Sequence, residues 1–174
     1  MAGVQSGEMM RALPGELRQM RRFLLWGVKG KPTKRPYTVS NGRLKAARPG
    51  EAADCLTFED ATAQADKRGC GIGFTFCAGD GLTGVDLDHV ARSGQIIDAD
   101  ARQMVGDFGT AGAYIEFSQS GAGVHIVCRA TLPEGAGNRK GPFEFYDRGR
   151  YFALTGDALN TPDRLGDCQN LVDG

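Results

Sequence analysis

Gly71-Ile-Gly-Phe-Thr-Phe-Cys-Ala-Gly-Asp-Gly-Leu-Thr-Gly-Val-Asp-Leu-Asp-His-Val-Ala91 holds the most regular strand pattern in the chain and its most unusual pair of charges. It reads as a strand over 71–77, a tight glycine turn, and a second strand over 82–88 that ends in two carboxylates. Asp86 and Asp88 are two residues apart, so on a strand their side chains share a face. Like charges side by side repel. Folding alone gives no reason to place them there, whereas a divalent cation does. Gly79-Asp-Gly-Leu-Thr-Gly84 matches G-x-G-x-x-G literally, but the dinucleotide fingerprint needs a helix after it. A strand follows here, so the glycines read as a hairpin turn. Gly30-Lys31 is no phosphate loop either, because Leu25 and Pro32 stand where that motif needs Gly and Ser or Thr.

The surrounding composition sets bounds. The chain has 174 residues, about one domain, with 26 glycines that favour turns and short strands. Basic and acidic residues balance at 21 each, so any anion-binding surface must be made by local clustering. No stretch approaches the ~20 apolar residues of a membrane span. Residues 1–15 lack the apolar core of a signal peptide. Cys55, Cys70, Cys77, Cys128 and Cys168 are scattered, with no Cys-x-x-Cys pair. The expectation is a cytoplasmic protein with reduced thiols and no membrane partner.

Outward from the central stretch, residues 1–20 read as a polar, partly helical leader, and 21–174 as a single domain. Arg22 to Lys29 reads as the first strand. A basic loop, Gly30-Lys-Pro-Thr-Lys-Arg-Pro-Tyr37, follows, then a polar connection over 38–56 with Asn41-Gly42 as a turn signal. Thr57 is a candidate helix cap, with Glu59 and Asp60 in the first turn and Gly69 as the stop. A second helix reads over 98–108. Tyr114–Ser118 and Val124–Cys128 read as strands, and residues 131–141 as a glycine-rich loop. Phe143–Tyr146 and Arg150–Thr155 read as a closing hairpin around Asp147-Arg-Gly149. Several hairpin-connected strands with two helices suggest an α+β domain with one sheet as its platform.

Three constellations carry chemistry. The pair Asp86 and Asp88 is open to four readings: two surface acids, a haloacid-dehalogenase phosphatase, a nucleotide-sugar enzyme, or a nucleotidyl transferase that holds metal at a triphosphate. The second is Ser118-Gln-Ser-Gly-Ala-Gly-Val-His125, a turn whose N–H and hydroxyl groups could form a phosphate nest before His125. The third is Phe143-Glu-Phe-Tyr-Asp-Arg-Gly-Arg150. Glu144 alternates with two phenylalanines and so faces away from their side of the sheet, as an exposed residue or as a third acid. Arg148 and Arg150 flank a glycine, either as a solvated turn or as guanidinium groups aimed at phosphate.

Taken in this order, the segments resemble the archaeo-eukaryotic primase superfamily, in particular the catalytic domains of phage and plasmid primase–polymerases. The resemblance runs from Phe23-Leu-Leu-Trp26 and the Lys31-Pro-Thr-Lys34 loop through Gly71-Ile-Gly-Phe74, Leu82–Val90 and Glu116–His125 to Glu144–Gly156. It implies a primase-polymerase fold: an RRM-like antiparallel or mixed sheet carrying the acids, beside a smaller N-terminal α/β part. It implies template-dependent nucleotidyl transfer with Mg²⁺ or Mn²⁺ held by Asp86, Asp88 and Glu144. Ser118, Ser120, Gly121, Gly123, His125, Arg148 and Arg150 would bind the incoming dNTP or NTP. Lys31, Lys34, Arg35, Arg139 and Lys140 would bind a single-stranded or primed DNA template. In such proteins the domain sits upstream of a helical accessory domain and a helicase, in phage or plasmid replication in a bacterial host. The chain departs from the commonest second motif, which has Ser two residues before the His where this chain has Gly123. The third acid is Glu rather than the frequent Asp.

Two rivals stand beside the enzyme. One is a replication-initiator module that keeps the fold and binds nucleic acid with little activity. The other is a metal-dependent phosphatase or nucleotide-sugar enzyme. A rolling-circle nickase is disfavoured, since His89 and His125 are far apart and no His-x-His occurs.

Overall fold

The computed structural model describes residues 9–135, 139–140 and 143–174. In chain order its elements are α1 (Gly15–Gln19), β1 (Phe23–Trp26), β2 (Tyr37–Ser40), β3 (Arg43–Ala46), α2 (Phe58–Arg68), β4 (Gly71–Phe76), β5 (Leu82–Leu87), β6 (Ala91–Arg92), β7 (Gln95–Ile96), α3 (Ala99–Thr110), β8 (Tyr114–Phe117), β9 (Val124–Arg129), β10 (Arg139–Lys140), β11 (Phe143–Tyr146), β12 (Arg150–Ala153) and α4 (Gln169–Asp173). This is an α+β architecture with antiparallel pairing throughout its sheets.

Both main helices start and stop where their local chemistry dictates. Thr57 caps α2 by accepting from the Asp60 N–H at 3.1 Å, and Gly69 ends it in the left-handed region at φ 59°. Asp98 caps α3 by accepting from the Ala101 N–H at 2.8 Å.

Two five-stranded sheets, rather than one, make up the platform. The first has the order β12-β4-β1-β2-β3 and the second β10-β11-β5-β9-β8. Both stretches read as hairpins are therefore crossovers. β4 pairs with β1 and β12, whereas β5 pairs with β9 and β11. β11 joins β5, whereas β12 joins β4. The turn between β4 and β5 is held back on the first sheet: Asp80 accepts from the Arg22 guanidinium at 2.7 and 2.8 Å. After Asp147-Arg-Gly149, the Gly149 N–H donates to the Phe76 carbonyl at 3.1 Å, which steers the chain onto β4. A third pair, β6 with β7, stands apart. The segment over 38–56, read as a connection, contains the hairpin β2–β3 turning at Asn41-Gly42. The leader over 1–20 is also not merely polar, since Met10, Leu13 and Leu17 are buried in the core.

Alternation on β5 assigns the faces of the second sheet. Val85 and Leu87 face an apolar cluster with Ile115, Ile126 and Phe145, closed by Phe108 of α3 and Val172 of α4. Leu82 faces the other cluster, shared with Phe74, Phe76 and Phe152 of the first sheet and with Ala61 and Ala65 of α2. Gly84 is on this inner face, where the sheets approach closely. A Cβ there would lie 2.4 Å from Phe76 Cζ and 2.6 Å from Phe152 Cε2. We predict that Gly84→Ala destabilises the protein by about 1–3 kcal/mol through overpacking. Equilibrium denaturation checks this, and an unchanged midpoint would show that both rings move aside freely.

Candidate active site

Asp86 follows Gly84 on the same face of β5 and sits where the two sheets part. Register sets a row of polar side chains beside it. Glu144 on β11 stands opposite Asp86, Asp86 opposite His125 on β9, and His125 opposite Glu116 on β8. Cross-strand partners share a face. Residues distant in sequence are thereby lined up on the inner face, and Asp86 and His125 of this row line an open cleft of about 640 Å³. The cleft is lined by Asp86, Asp88, Ser118, Ser120 and His125 and, from the first sheet and its loops, by Trp26, Lys34, Arg150, Tyr151 and Phe152.

Asp86 is buried, with His125 Nε2 at 3.8 Å and Arg150 Nη2 at 3.7 Å, and accepts no hydrogen bond among the described residues. Desolvation pushes its carboxyl above the ordinary value, and Asp88 and Glu144 push the same way; His125 and Arg150 oppose them. Asp88 does not share the strand. β5 ends at Leu87, and Asp88 opens a turn in which His89 takes φ 59°. The two acids still meet at the same cleft, Asp88 exposed at its edge.

The serine turn differs from the expected open nest. The Ser118, Gly121, Ala122 and Gly123 N–H groups all donate within the turn, the last two to the Ser120 and Ser118 hydroxyls at 3.2 and 3.1 Å. The serines thus build the turn, and Ser118 and Ser120 still reach the cleft, whereas Gly121 and Gly123 do not line it. The departure at Gly123 has a steric reason. A Cβ there would lie 2.7 Å from the Leu87 carbonyl and 2.9 Å from the Ser118 hydroxyl. A serine at 123 has no room, and Ser118 supplies the hydroxyl from five residues earlier.

Glu144 is directly across from Asp86, but its carboxylate is engaged by the Arg139 guanidinium and the Tyr146 hydroxyl. Those donors, Tyr146 first, hold it below the ordinary carboxylate range. Arg139, expected on the template, is thus an ion-pair partner of the third acid. Lys140 follows it on β10. Arg148 is also drawn away: it binds Asp147 at 2.8 and 3.1 Å and lines a separate hollow with Leu132 and Glu134. Arg150, two residues on, lines the cleft and stacks over the Tyr146 ring at 4.9 Å.

Among the described residues, no three His, Cys, Asp or Glu side chains converge closely enough to hold a metal ion. The donor chemistry still suits a hard divalent cation. Asp86 and Asp88 offer carboxylate oxygens at one cleft, and the buried one accepts no hydrogen bond among the described residues. Glu144 is held by Arg139 and Tyr146 and is not free to join them in this arrangement.

Of the expected template cations, Lys34 lines the cleft, while Lys31 and Arg35 are exposed in the same loop. A wider feature was missed. From Leu17 to Gly50 the chain has no acidic residue, although acids and bases balance overall. Lys29, Lys31, Lys34, Arg35, Arg43 and Lys45 are exposed there, and none pairs with an acid among the described residues. The signal was the missing acids rather than a run of bases. Glu116, at the end of the polar row, opens the segment Glu116–His125 but was assigned no role there; that it is fully buried within the short strand Tyr114–Phe117 is visible only in the structure.

No helix among the described residues is long and apolar enough to cross a membrane. No family model matches the chain. Over 158 residues it is 28% identical to the DNA primase-polymerase of Nitratiruptor phage NrS-1, a match that covers 86% of this chain and 21% of that protein. The chain thus spans about a fifth of the length of that relative. The match supports a relationship to phage primase-polymerases.

Proposed function

We propose that this chain is a nucleotidyl-transfer module of phage primase-polymerase type, which adds nucleotides to a DNA strand on a single-stranded or primed template. The carrying observation is the cross-strand row of Glu144, Asp86 and His125, of which Asp86 and His125 line, with Arg150, a cleft shared by two sheets. The second sheet, with its acids, corresponds to the RRM-like part of the primase-polymerase fold. The first sheet, with α1 and α2, corresponds to the N-terminal part.

Asp86 and Asp88, with Glu144 once it turns from Arg139, would hold Mg²⁺ or Mn²⁺, which on binding would acidify the attacking 3′-hydroxyl and offset charge on the leaving pyrophosphate. The residues of the chain do the rest. Arg150 carries a permanent charge and five N–H donors into the cleft, and His125 and the Ser118 and Ser120 hydroxyls border the same space. Together they suit the oxygens of a dNTP or NTP triphosphate. Phe152 stacks on His125, with ring centroids 4.3 Å apart and planes 11° apart, and holds that ring in place.

Primer extension and de novo synthesis assayed with Mg²⁺ and with Mn²⁺ test this reading. Metal-dependent incorporation is expected. A second reading is favoured by the engagement of Glu144 and by the acid-free basic segment: a nucleic-acid-binding module with little activity. Binding of single-stranded DNA without incorporation under either metal would decide for it. Release of phosphate from small phosphomonoesters without polymerisation would overturn both.

The basic segment makes a separate prediction. Arg43 and Lys45 lie two residues apart on β3, both exposed, so they share a face of that strand. Arg43→Glu with Lys45→Glu is expected to weaken single-stranded DNA binding. It should also flatten the salt dependence by about 0.7 in log–log slope for each phosphate no longer neutralised. Anisotropy titrations at several salt concentrations measure this, and an unchanged slope would move the template elsewhere.

A further inference from the structure

Gly71 and Gly73 alternate on β4 with Ile72 and Phe74, which face the core, so the two glycines share the opposite face. Two aromatic rings from the flanking strands lie over the bare backbone there. The ring of Trp26, opposite Gly71 on β1, would be 2.5 Å from a Cβ at 71, and that of Tyr151 on β12 would be 2.8 Å from a Cβ at 73. Trp26 is fixed by its own Nε1–H, which donates to the Ile72 carbonyl at 2.8 Å. Tyr151 instead reaches out of the sheet: its hydroxyl donates to the Lys34 carbonyl at 3.0 Å. Lys34 belongs to the basic loop between β1 and β2, and Thr33, Lys34, Pro36 and Tyr151 line the cleft together. Between Val28 and Arg35 the loop's own backbone bonds are two turns, Lys31 N–H to the Val28 carbonyl at 3.0 Å and Arg35 N–H to the Pro32 carbonyl at 3.3 Å. Neither ties it to a strand. Among the described residues, the Tyr151 hydroxyl makes the one hydrogen bond that reaches this stretch from another element.

We infer that Tyr151 is a positioning residue: its hydroxyl pins the basic loop at Lys34 and so holds the Lys34 ammonium where the cleft meets phosphate oxygens. A carbonyl held at one residue fixes where that residue's side chain begins. A loop placed in advance loses less freedom when its cation meets an anion. Lys34 pairs with no acid among the described residues, so its charge is open to a ligand. The phosphates belong either to a DNA strand or to a nucleoside triphosphate. The inference deepens the nucleotidyl-transfer reading and rests on it for the ligand, but not for the state of the loop.

Tyr151→Phe tests this, because it removes the hydroxyl and leaves the ring over Gly73. Trypsin does not cut before proline, so Lys31 and Arg35 are protected, and Lys34–Arg35 is the tryptic bond within Gly30–Tyr37 that reports the loop's freedom. Limited digestion of the folded protein, read by fragment mass, is expected to cut there roughly five-fold faster in the variant, the scale of one neutral hydrogen bond. Cutting after Arg43, on β3, is the internal reference. An unchanged ratio of the two cuts would overturn the inference. Binding then separates the two sources: anisotropy with single-stranded DNA, and titration of a fluorescent dNTP with Mg²⁺ and no DNA. At least one affinity should fall in Tyr151→Phe, and in a Lys34→Ala background the same change should cost nothing more. Unchanged affinity for both ligands would overturn the inference. So would fully additive losses, since Tyr151 would then touch the ligand itself. Wild-type protein that binds neither ligand would overturn it together with the transferase reading, whereas binding without incorporation would count against that reading alone.

Discussion

Asp86→Asn is expected to abolish nucleotide incorporation and, at neutral pH, to raise the melting temperature. The loss of activity should be roughly 10²–10³-fold or more, the scale on which removal of one preorganised charge-stabilising group acts. The gain in stability follows from the direction of the carboxyl's shift. Burial is the largest cause and raises its pKa above the ordinary value. The folded protein therefore holds this proton more tightly than the unfolded chain does. The stability contributed by the group is fully present below its ordinary pKa and is lost as pH rises through the raised folded value. At neutral pH the ionised carboxylate is a net burden, which the neutral amide removes. Thermal melts of both proteins at neutral and mildly acidic pH should show a gap that is widest at neutral pH and shrinks on acidification. Incorporation by the variant would remove Asp86 from the chemistry. A variant less stable at neutral pH would mean that His125 and Arg150 outweigh the desolvation. Asp88→Ala should match the loss of activity without the gain in stability, because Asp88 is exposed.

Phe152→Ala is expected to cost about 3–5 kcal/mol, as truncation of a buried aromatic does. For a chain of this length that lowers the melting temperature by on the order of 10 °C. Phe152 is 2% exposed and lies between the sheets. It meets Phe76 edge to face at 5.1 Å, stacks on His125 at 4.3 Å, and occupies the space that a side chain at 84 would take. The alanine variant loses packing and ring support together. Phe152→Leu separates them: it restores most of the volume without a flat face. Stability should then largely recover while incorporation stays low. A cost under about 1 kcal/mol for the alanine variant, well below the usual range for a buried aromatic, would show that the sheets do not depend on this ring. Full activity in the leucine variant would show that His125 needs no stacked partner.

Much of the local structure was legible. Thr57 and Gly69 marked helix ends through groups that act within a turn of their own position. The alternation Phe143-Glu-Phe predicted the face of Glu144, because side chains on a strand alternate whatever it pairs with. Pairing itself was not legible. Residues 77–81 and 147–149 look like hairpin turns, yet each sends the chain from one sheet to the other. The anchors responsible are distant: Arg22 holds Asp80, and the Phe76 carbonyl holds the Gly149 N–H. The hairpin at 37–46 was hidden because an exposed edge strand such as Arg43–Ala46 shows little apolar pattern.

The candidate site divides the same way. By itself the sequence determined which acids and which histidine were present, their order, and the resemblance they carry, since these are properties of short segments. Only the tertiary structure decided their company. Antiparallel register put Glu144, Asp86, His125 and Glu116 in one row, though Glu116 and Glu144 are 28 residues apart by number. It turned Arg139 onto Glu144 and left Arg150 to the cleft, while Arg148 is taken by its neighbour in sequence, Asp147. Across the sheet, which cation meets which carboxylate depends on strand neighbours that no local pattern encodes.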